Sequence, residues 1–120
     1  MKKILIVDDE PNIIMALEYT FKKKNFEVFI ARDGQEALDI LKSNSPDIII
    51  LDVMMPMVDG YATLEQIKKD KNLNHTKVIF LSAKNKPADI EKGLSLGADA
   101  YLTKPFSIKN VVDKVFELVS

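Results

Sequence analysis

Five short runs of uninterrupted apolar residues constrain this chain more than any other feature: Ile4 to Val7, Val28 to Ile30, Ile48 to Leu51, Val78 to Leu81 and Ala100 to Leu102. They are rich in β-branched or aromatic residues and too short for helices, so each reads as a buried strand. Hydrophobicity that does not alternate is what a parallel strand covered on both faces requires, because neither face can be left to water. The stretches between the runs carry helical spacing instead. Pro11 suits the first helical position, where its missing N–H has no partner to lose, and Ile13, Ile14, Leu17 and Phe21 share one face. Asp33 followed by Glu36 makes a capping pair ahead of Ala37, Leu38 and Leu41, and Asn44-Ser45-Pro46 stops that helix. A third helix is expected from about Gly60, with Leu64 and Ile67 inward. The fourth starts near Pro87, with Ile90 and Leu94 facing the core and Gly97 as the left-handed residue at its end. The last follows Ser107 and carries Ile108, Val111, Val112, Val115 and Val119.

Strand and helix thus alternate along the whole chain. Such a pattern gives an α/β domain, a parallel sheet with helices on both faces, because each right-handed crossover must pack back onto the sheet. Five strands are too few for a closed eight-stranded barrel, which leaves an open doubly wound sheet. If strand 2 lies outermost, the order is 2-1-3-4-5, the flavodoxin-like arrangement, with five helices. The length of 120 residues leaves room for one domain, spanning 1–120, and the absence of cysteine excludes disulfide frameworks, thiol catalysis and thiolate-bound zinc. A net charge of −1 argues against the basic footprint that direct nucleic-acid binding needs. Met1-Lys2-Lys3 precedes only a short apolar run, and no run approaches the ~18 residues of a membrane span, so a cytoplasmic protein is the expectation.

Open sheets of this kind place their sites outside the carboxyl ends of the strands. There the sequence puts Asp8 and Asp9 after strand 1, Asp52 after strand 3, Ser82 after strand 4 and Thr103-Lys104-Pro105 after strand 5. One such residue is an ordinary turn residue; four strands ending in complementary groups is a stronger signal. Carboxylates brought together repel, and all-oxygen donors select a hard cation, for which magnesium is the natural choice. With that charge offset, Asp52 stays ionised and can attack a phosphoryl group to form an acyl phosphate. Phosphoryl transfer needs chiefly positioning and charge on the equatorial oxygens, and Lys104 and the Ser82 hydroxyl answer that need.

Four motifs in order carry a family resemblance: Ile4-Leu5-Ile6-Val7-Asp8-Asp9, Leu51-Asp52-Val53-Met54-Met55-Pro56-Met57-Val58-Asp59-Gly60, Leu81-Ser82-Ala83, and Gly97-Ala98-Asp99-Ala100-Tyr101-Leu102-Thr103-Lys104-Pro105-Phe106. In these the chain resembles the receiver domain of two-component response regulators, over its whole length. The resemblance implies that Asp52 is the phospho-acceptor, that Asp9 binds magnesium directly, that Asp8 acts through metal-bound water, and that the Met54 carbonyl is a further ligand. It implies that Lys104 pairs the phosphate, that Ser82 and Tyr101 are the switch residues, that the Lys104-Pro105 bond is cis, and that Met54 and Lys84 flank the phosphoryl entry path. A histidine kinase or histidine phosphotransfer protein is the implied donor. Phosphorylation then alters the surface of helix 4, strand 5 and helix 5 for a downstream protein effector, with a phosphorylation-dependent homodimer as a further outcome. On this reading the chain catalyses only its own phosphorylation and dephosphorylation. It is expected to be a stand-alone receiver, with a receiver cut from a longer regulator as the alternative.

Other features have plainer readings. His75, the only histidine, sits in the polar stretch Asn72 to Lys77 and reads as an exposed loop residue and not as a phosphate carrier. Met54, Met55 and Met57 read as adaptable packing after strand 3, and Lys22-Lys23-Lys24 as favourable charge at a helix end; the family resemblance alternatively implies that helix 1 helps dock a histidine kinase. Two rival functions are disfavoured. An aspartyl-phosphate phosphatase usually needs a second Asp where Met54 stands, and a flavodoxin would bring its FMN phosphate against an acidic first loop.

Overall fold

In the computed structural model, which describes residues 1–120, the apolar runs form five strands: β1 (Lys3–Val7), β2 (Glu27–Ala31), β3 (Ile48–Leu51), β4 (Lys77–Ser82) and β5 (Ala100–Thr103). Five helices alternate with them: α1 (Pro11–Lys23), α2 (Gly34–Leu41), α3 (Gly60–Lys69), α4 (Pro87–Ser95) and α5 (Ile108–Val119), with a 3-10 turn at Lys71–Leu73 ahead of β4. All neighbouring strands are parallel, in the order β2-β1-β3-β4-β5. The register sets Ile4 beside both Val28 and Ile48, Ile48 beside Lys77, and Ile79 beside Ala100.

Successive strand residues point to opposite faces, so the sheet divides the interior into two apolar layers. Leu5, Val7, Ile49, Leu51, Val78 and Phe80 meet Ala37 and Leu41 of α2 and Leu64 and Ile67 of α3. On the other face Ile4, Ile6, Ile48, Ile50, Ile79 and Leu81 meet Leu17 and Phe21 of α1 and Val111 and Val115 of α5. No helix is long and apolar enough to cross a membrane.

Helix boundaries follow local chemistry. Pro11 opens α1, and the side chains of Asp33, Asp59 and Ser107 cap α2, α3 and α5 by accepting from the N–H groups of Glu36, Ala62 and Asn110. Glu36 does not close a reciprocal box with Asp33; its carboxylate accepts instead from the N–H of Arg32, at 3.2 Å. Helix α2 ends at Leu41, before Asn44-Ser45-Pro46, and Lys42 and Ser43 continue only as a turn. Gly97, at φ +109°, turns the chain out of α4 in the left-handed region that glycine enters without cost.

Two expectations are corrected. Leu94 does not face the core: it is 45% exposed, Ile90 is half-buried, and the residue that α4 turns inward is Gly93. The edge strands β2 and β5 are not covered throughout: Val28, Phe29 and Ile30 of β2 and Tyr101 and Leu102 of β5 are half-buried, because each strand pairs on one side only.

Candidate phosphoryl-transfer site

The backbone carries the parallel hydrogen-bond pattern one residue beyond the strands, and this is what fixes the candidate side chains. The N–H of Asp8 donates to the Ala31 carbonyl (3.1 Å), that of Asp52 to Val7 (3.0 Å) and that of Lys104 to Ser82 (2.8 Å). Gly60 closes the loop after β3 by donating to the Val53 carbonyl at 2.8 Å. A Cβ at residue 60 would fall 2.2 Å from the Asp52 carbonyl oxygen, so only glycine lets α3 start this near the strand end.

Asp8, Asp9 and Asp52 each bring a carboxylate oxygen within 4.8 Å of the others. Asp8 and Asp52 are buried and Asp9 is exposed. Among them lies the ammonium of Lys104, 2.9 Å from Asp8 Oδ2, 3.3 Å from Asp52 Oδ2 and 2.7 Å from Glu10 Oε2. The other oxygen of Asp8 accepts from the Glu10 N–H (2.9 Å), and that of Asp52 from the Met54 N–H (3.3 Å). Ser82 is fully buried, and its hydroxyl accepts from the Lys84 N–H at 3.2 Å. The Lys104-Pro105 bond is cis.

The charge balance of the cluster is one that a cation could complete. Burial raises the pKa of both Asp8 and Asp52; for Asp8 the Glu10 N–H and Lys104 oppose the rise, and for Asp52 the Lys104 charge, the Met54 N–H and the Ser82 hydroxyl do so. Burial pulls the Lys104 ammonium the other way, yet its bonds to Glu10 and Asp8 and the charge of Asp52 win, and its proton is held more firmly than usual. One ammonium against several carboxylates leaves the group net negative. An all-oxygen donor set with excess negative charge fits a hard divalent cation such as magnesium. The Met54 carbonyl accepts none of the backbone hydrogen bonds of the turns and loops, so it too is available as a ligand.

Behind the cluster lie the aromatic residues. Tyr101 packs against Phe80 (ring centroids 5.7 Å apart), and its hydroxyl donates to the Lys84 carbonyl at 2.8 Å. Burial, opposed by the Ser82 hydroxyl, pushes its phenol up to about 12. Tyr61 meets Phe80 edge to face at 5.6 Å, donates to the Asp89 carbonyl at 3.2 Å, and carries the Lys92 ammonium over its ring at 4.3 Å. A cavity of about 480 Å³ opens beside the cluster, lined by Asp9, Met54, Met55, Tyr61, Lys84 and Lys92 among others.

The candidates read from the strand ends therefore converge, and Met54 and Lys84 line the adjoining opening. His75 does not join them; it lies at the opposite, amino-terminal ends of the strands, near Lys2, Asp47 and Lys77. Sequence reasoning missed Glu10, which holds Lys104, and Tyr61, which ties α3 to α4. Glu10 had a signal, as the third acid of Asp8-Asp9-Glu10; Tyr61 had only its place after the Asp59-Gly60 turn.

Comparison with known proteins bears on the family and the fold. The family model described as response regulator receiver domain matches residues 4–116. The alkaline phosphatase synthesis transcriptional regulatory protein PhoP of Bacillus subtilis (strain 168) is 42% identical over 114 residues, which are 95% of this chain and 47% of that protein. The chain thus spans about half the length of that relative. The receiver domain of Francisella response regulator 1452 superposes with a TM-score of 0.91 at 37% identity, over 99% of this chain and 97% of the other. The chemotaxis response regulator CheY4 of Vibrio cholerae gives 0.92 at 29% identity, over 98% of each chain.

Proposed function

The chain belongs to the response regulator receiver family of two-component signalling, and we propose that it is a phosphorylation-driven switch in which Asp52 accepts a phosphoryl group from a phosphohistidine. The observation that supports this most directly is the single ammonium of Lys104 reaching both Asp8 (2.9 Å) and Asp52 (3.3 Å) at the mouth of the sheet. In the step, an Asp52 carboxylate oxygen forms a bond to phosphorus as the donor's P–N bond breaks. The bonding pair returns to the imidazole nitrogen, which takes up a proton, and an acyl phosphate remains on Asp52. Lys104 pairs one phosphoryl oxygen and the Ser82 hydroxyl donates to another. Asp8, Asp9, Asp52 and the Met54 carbonyl would hold magnesium, which when bound supplies positive charge to offset the carboxylates and the incoming phosphoryl group. Hydrolysis by water returns Asp52 to its carboxylate, so the chain catalyses only its own phosphorylation and dephosphorylation.

The new dianion at Asp52 competes for the Ser82 hydroxyl, and Tyr101 packs behind it. The two states differ by what these groups touch, and phosphorylation shifts the balance only through that difference. The effector surface of this reading is α4, β5 and α5, where Leu94, Ile108 and Phe116 are exposed. Residues 1–120 act as one receiver in the cytoplasm. The donor is a histidine kinase or phosphotransfer protein, the output partner is a protein, and dimerisation through the same surface is open to the phosphorylated form.

The test is incubation with phosphoramidate or acetyl phosphate and magnesium, read by intact mass. The wild-type chain should gain one phosphoryl group and Asp52→Asn none; equal labelling of the variant would falsify the assignment.

A further inference from the structure

Helix α4 has a glycine in its interior, where alanine is the better helix former. Gly93 is the only buried residue of α4, and it is not among the positive-φ glycines, so backbone freedom does not account for it. Space does. A Cβ at residue 93 would lie 2.9 Å from Cδ2 and 3.1 Å from Cε2 of Tyr101, and 3.0 Å from Cδ2 of Phe80. These neighbours are not equally free to move. Phe80 is fully buried, with Tyr61 and Tyr101 packed on it, and has nowhere to go. Tyr101 is half-buried, on the outer strand β5, and its hydroxyl donates to the Lys84 carbonyl.

We propose that Gly93 is the positioning residue for Tyr101: the absent Cβ is the room that the inward ring occupies, and a methyl group at residue 93 turns the ring outward. This deepens the switch reading above and rests on Tyr101 being its mobile aromatic. With the ring out, the Lys84 carbonyl loses its donor, and the chain between Lys84 and α4 loses its tie to β5. Residue 93 thus sets where the equilibrium lies before any phosphoryl group arrives. Overpacking of this kind typically shifts an equilibrium by about tenfold or more.

The test is Gly93→Ala in the full chain, observed by NMR of ring-labelled tyrosines with neither magnesium nor phosphoryl donor present. The Tyr101 ring should move to solvent-exposed shifts and its cross-peaks to Phe80 should weaken about tenfold, while those of Tyr61 to Phe80 persist. A folded variant with an unmoved Tyr101 ring overturns the proposal. Thermal melting gives a second measurement, independent of how well the variant folds for NMR. Gly93→Ala should change the melting temperature more favourably when made together with Tyr101→Ala, since the ring is gone and only Phe80 remains at 3.0 Å, than in the wild-type background. Equal changes in both backgrounds overturn the proposal. Phosphoryl labelling of the wild-type chain is read separately, so a failure of the Asp52 assignment leaves the ring result standing on its own.

Discussion

Lys104 is the residue on which the site balances. Its ammonium touches Asp8, Glu10 and Asp52, yet both buried aspartates keep raised pKa values, burial outweighing the cation. The sign of the pH effect follows. An aspartate usually contributes stability as it ionises, but one whose folded pKa is raised binds its proton more tightly folded than unfolded, so stability falls as pH climbs through the window above 3.8. Without metal, Asp52→Asn should therefore melt higher than wild type, by a margin that grows from about pH 4 towards neutrality, and magnesium should shrink the margin. Melting curves across that range check it, and a margin that narrows with rising pH would count against the buried-carboxylate account. Most of these residues were legible in the sequence because a polar group directly after an apolar strand has only one place to go. Glu10 was legible only as the third acid of its run, since its reach to Lys104 depends on how the chain turns from β1 into α1, a geometry that spacing does not encode.

Among the elements, α4 is the one attached least by apolar burial. Gly93 is its only buried residue, and two tyrosine hydroxyls from different elements secure its approach: Tyr101 of β5 at Lys84 and Tyr61 of α3 at Asp89. A net hydrogen bond contributes about 1 kcal/mol, so Tyr61→Phe, which keeps the ring under Lys92, should speed hydrogen exchange of the α4 amides about fivefold and leave those of β1 and β3 unchanged. Unaltered α4 exchange would remove Tyr61 from this role. The same weak burial explains why α4 was the helix misread from sequence. Ile90 and Leu94 mark an apolar side, but the side that meets the sheet is the one that lacks a side chain, and a hydrophobic pattern cannot register that. Strands β1, β3 and β4 posed no such problem, because their apolar runs are covered on both faces; β2 and β5, at the edges, are only partly so.

Across the whole molecule the sheet keeps two apolar layers apart, Leu64 in one and Leu17 in the other, both fully buried. Leu17→Ala and Leu64→Ala should each cost about 2–5 kcal/mol, and the double variant should cost their sum within about 0.5 kcal/mol, because neither side chain shares packing partners with the other. Denaturant unfolding of the three variants measures this, and a large coupling term would mean that the layers communicate through the strands. The overall architecture was the most legible level, since alternating strand and helix with right-handed crossovers leaves few topologies, whereas the crowding around Tyr101 is a matter of tenths of an ångström.

The strand order has one more consequence, in time. Lys104 closes on Asp8 across 96 residues of sequence, and β1 lies inside the sheet, between β2 and β3, while β5, the last strand made, lies at its edge. A chain still being synthesised can hold its three aspartates but has no lysine to set among them. On the function proposed above, the unfinished polypeptide stays mute until its final strand docks, and an unfinished copy draws no phosphate away from complete ones.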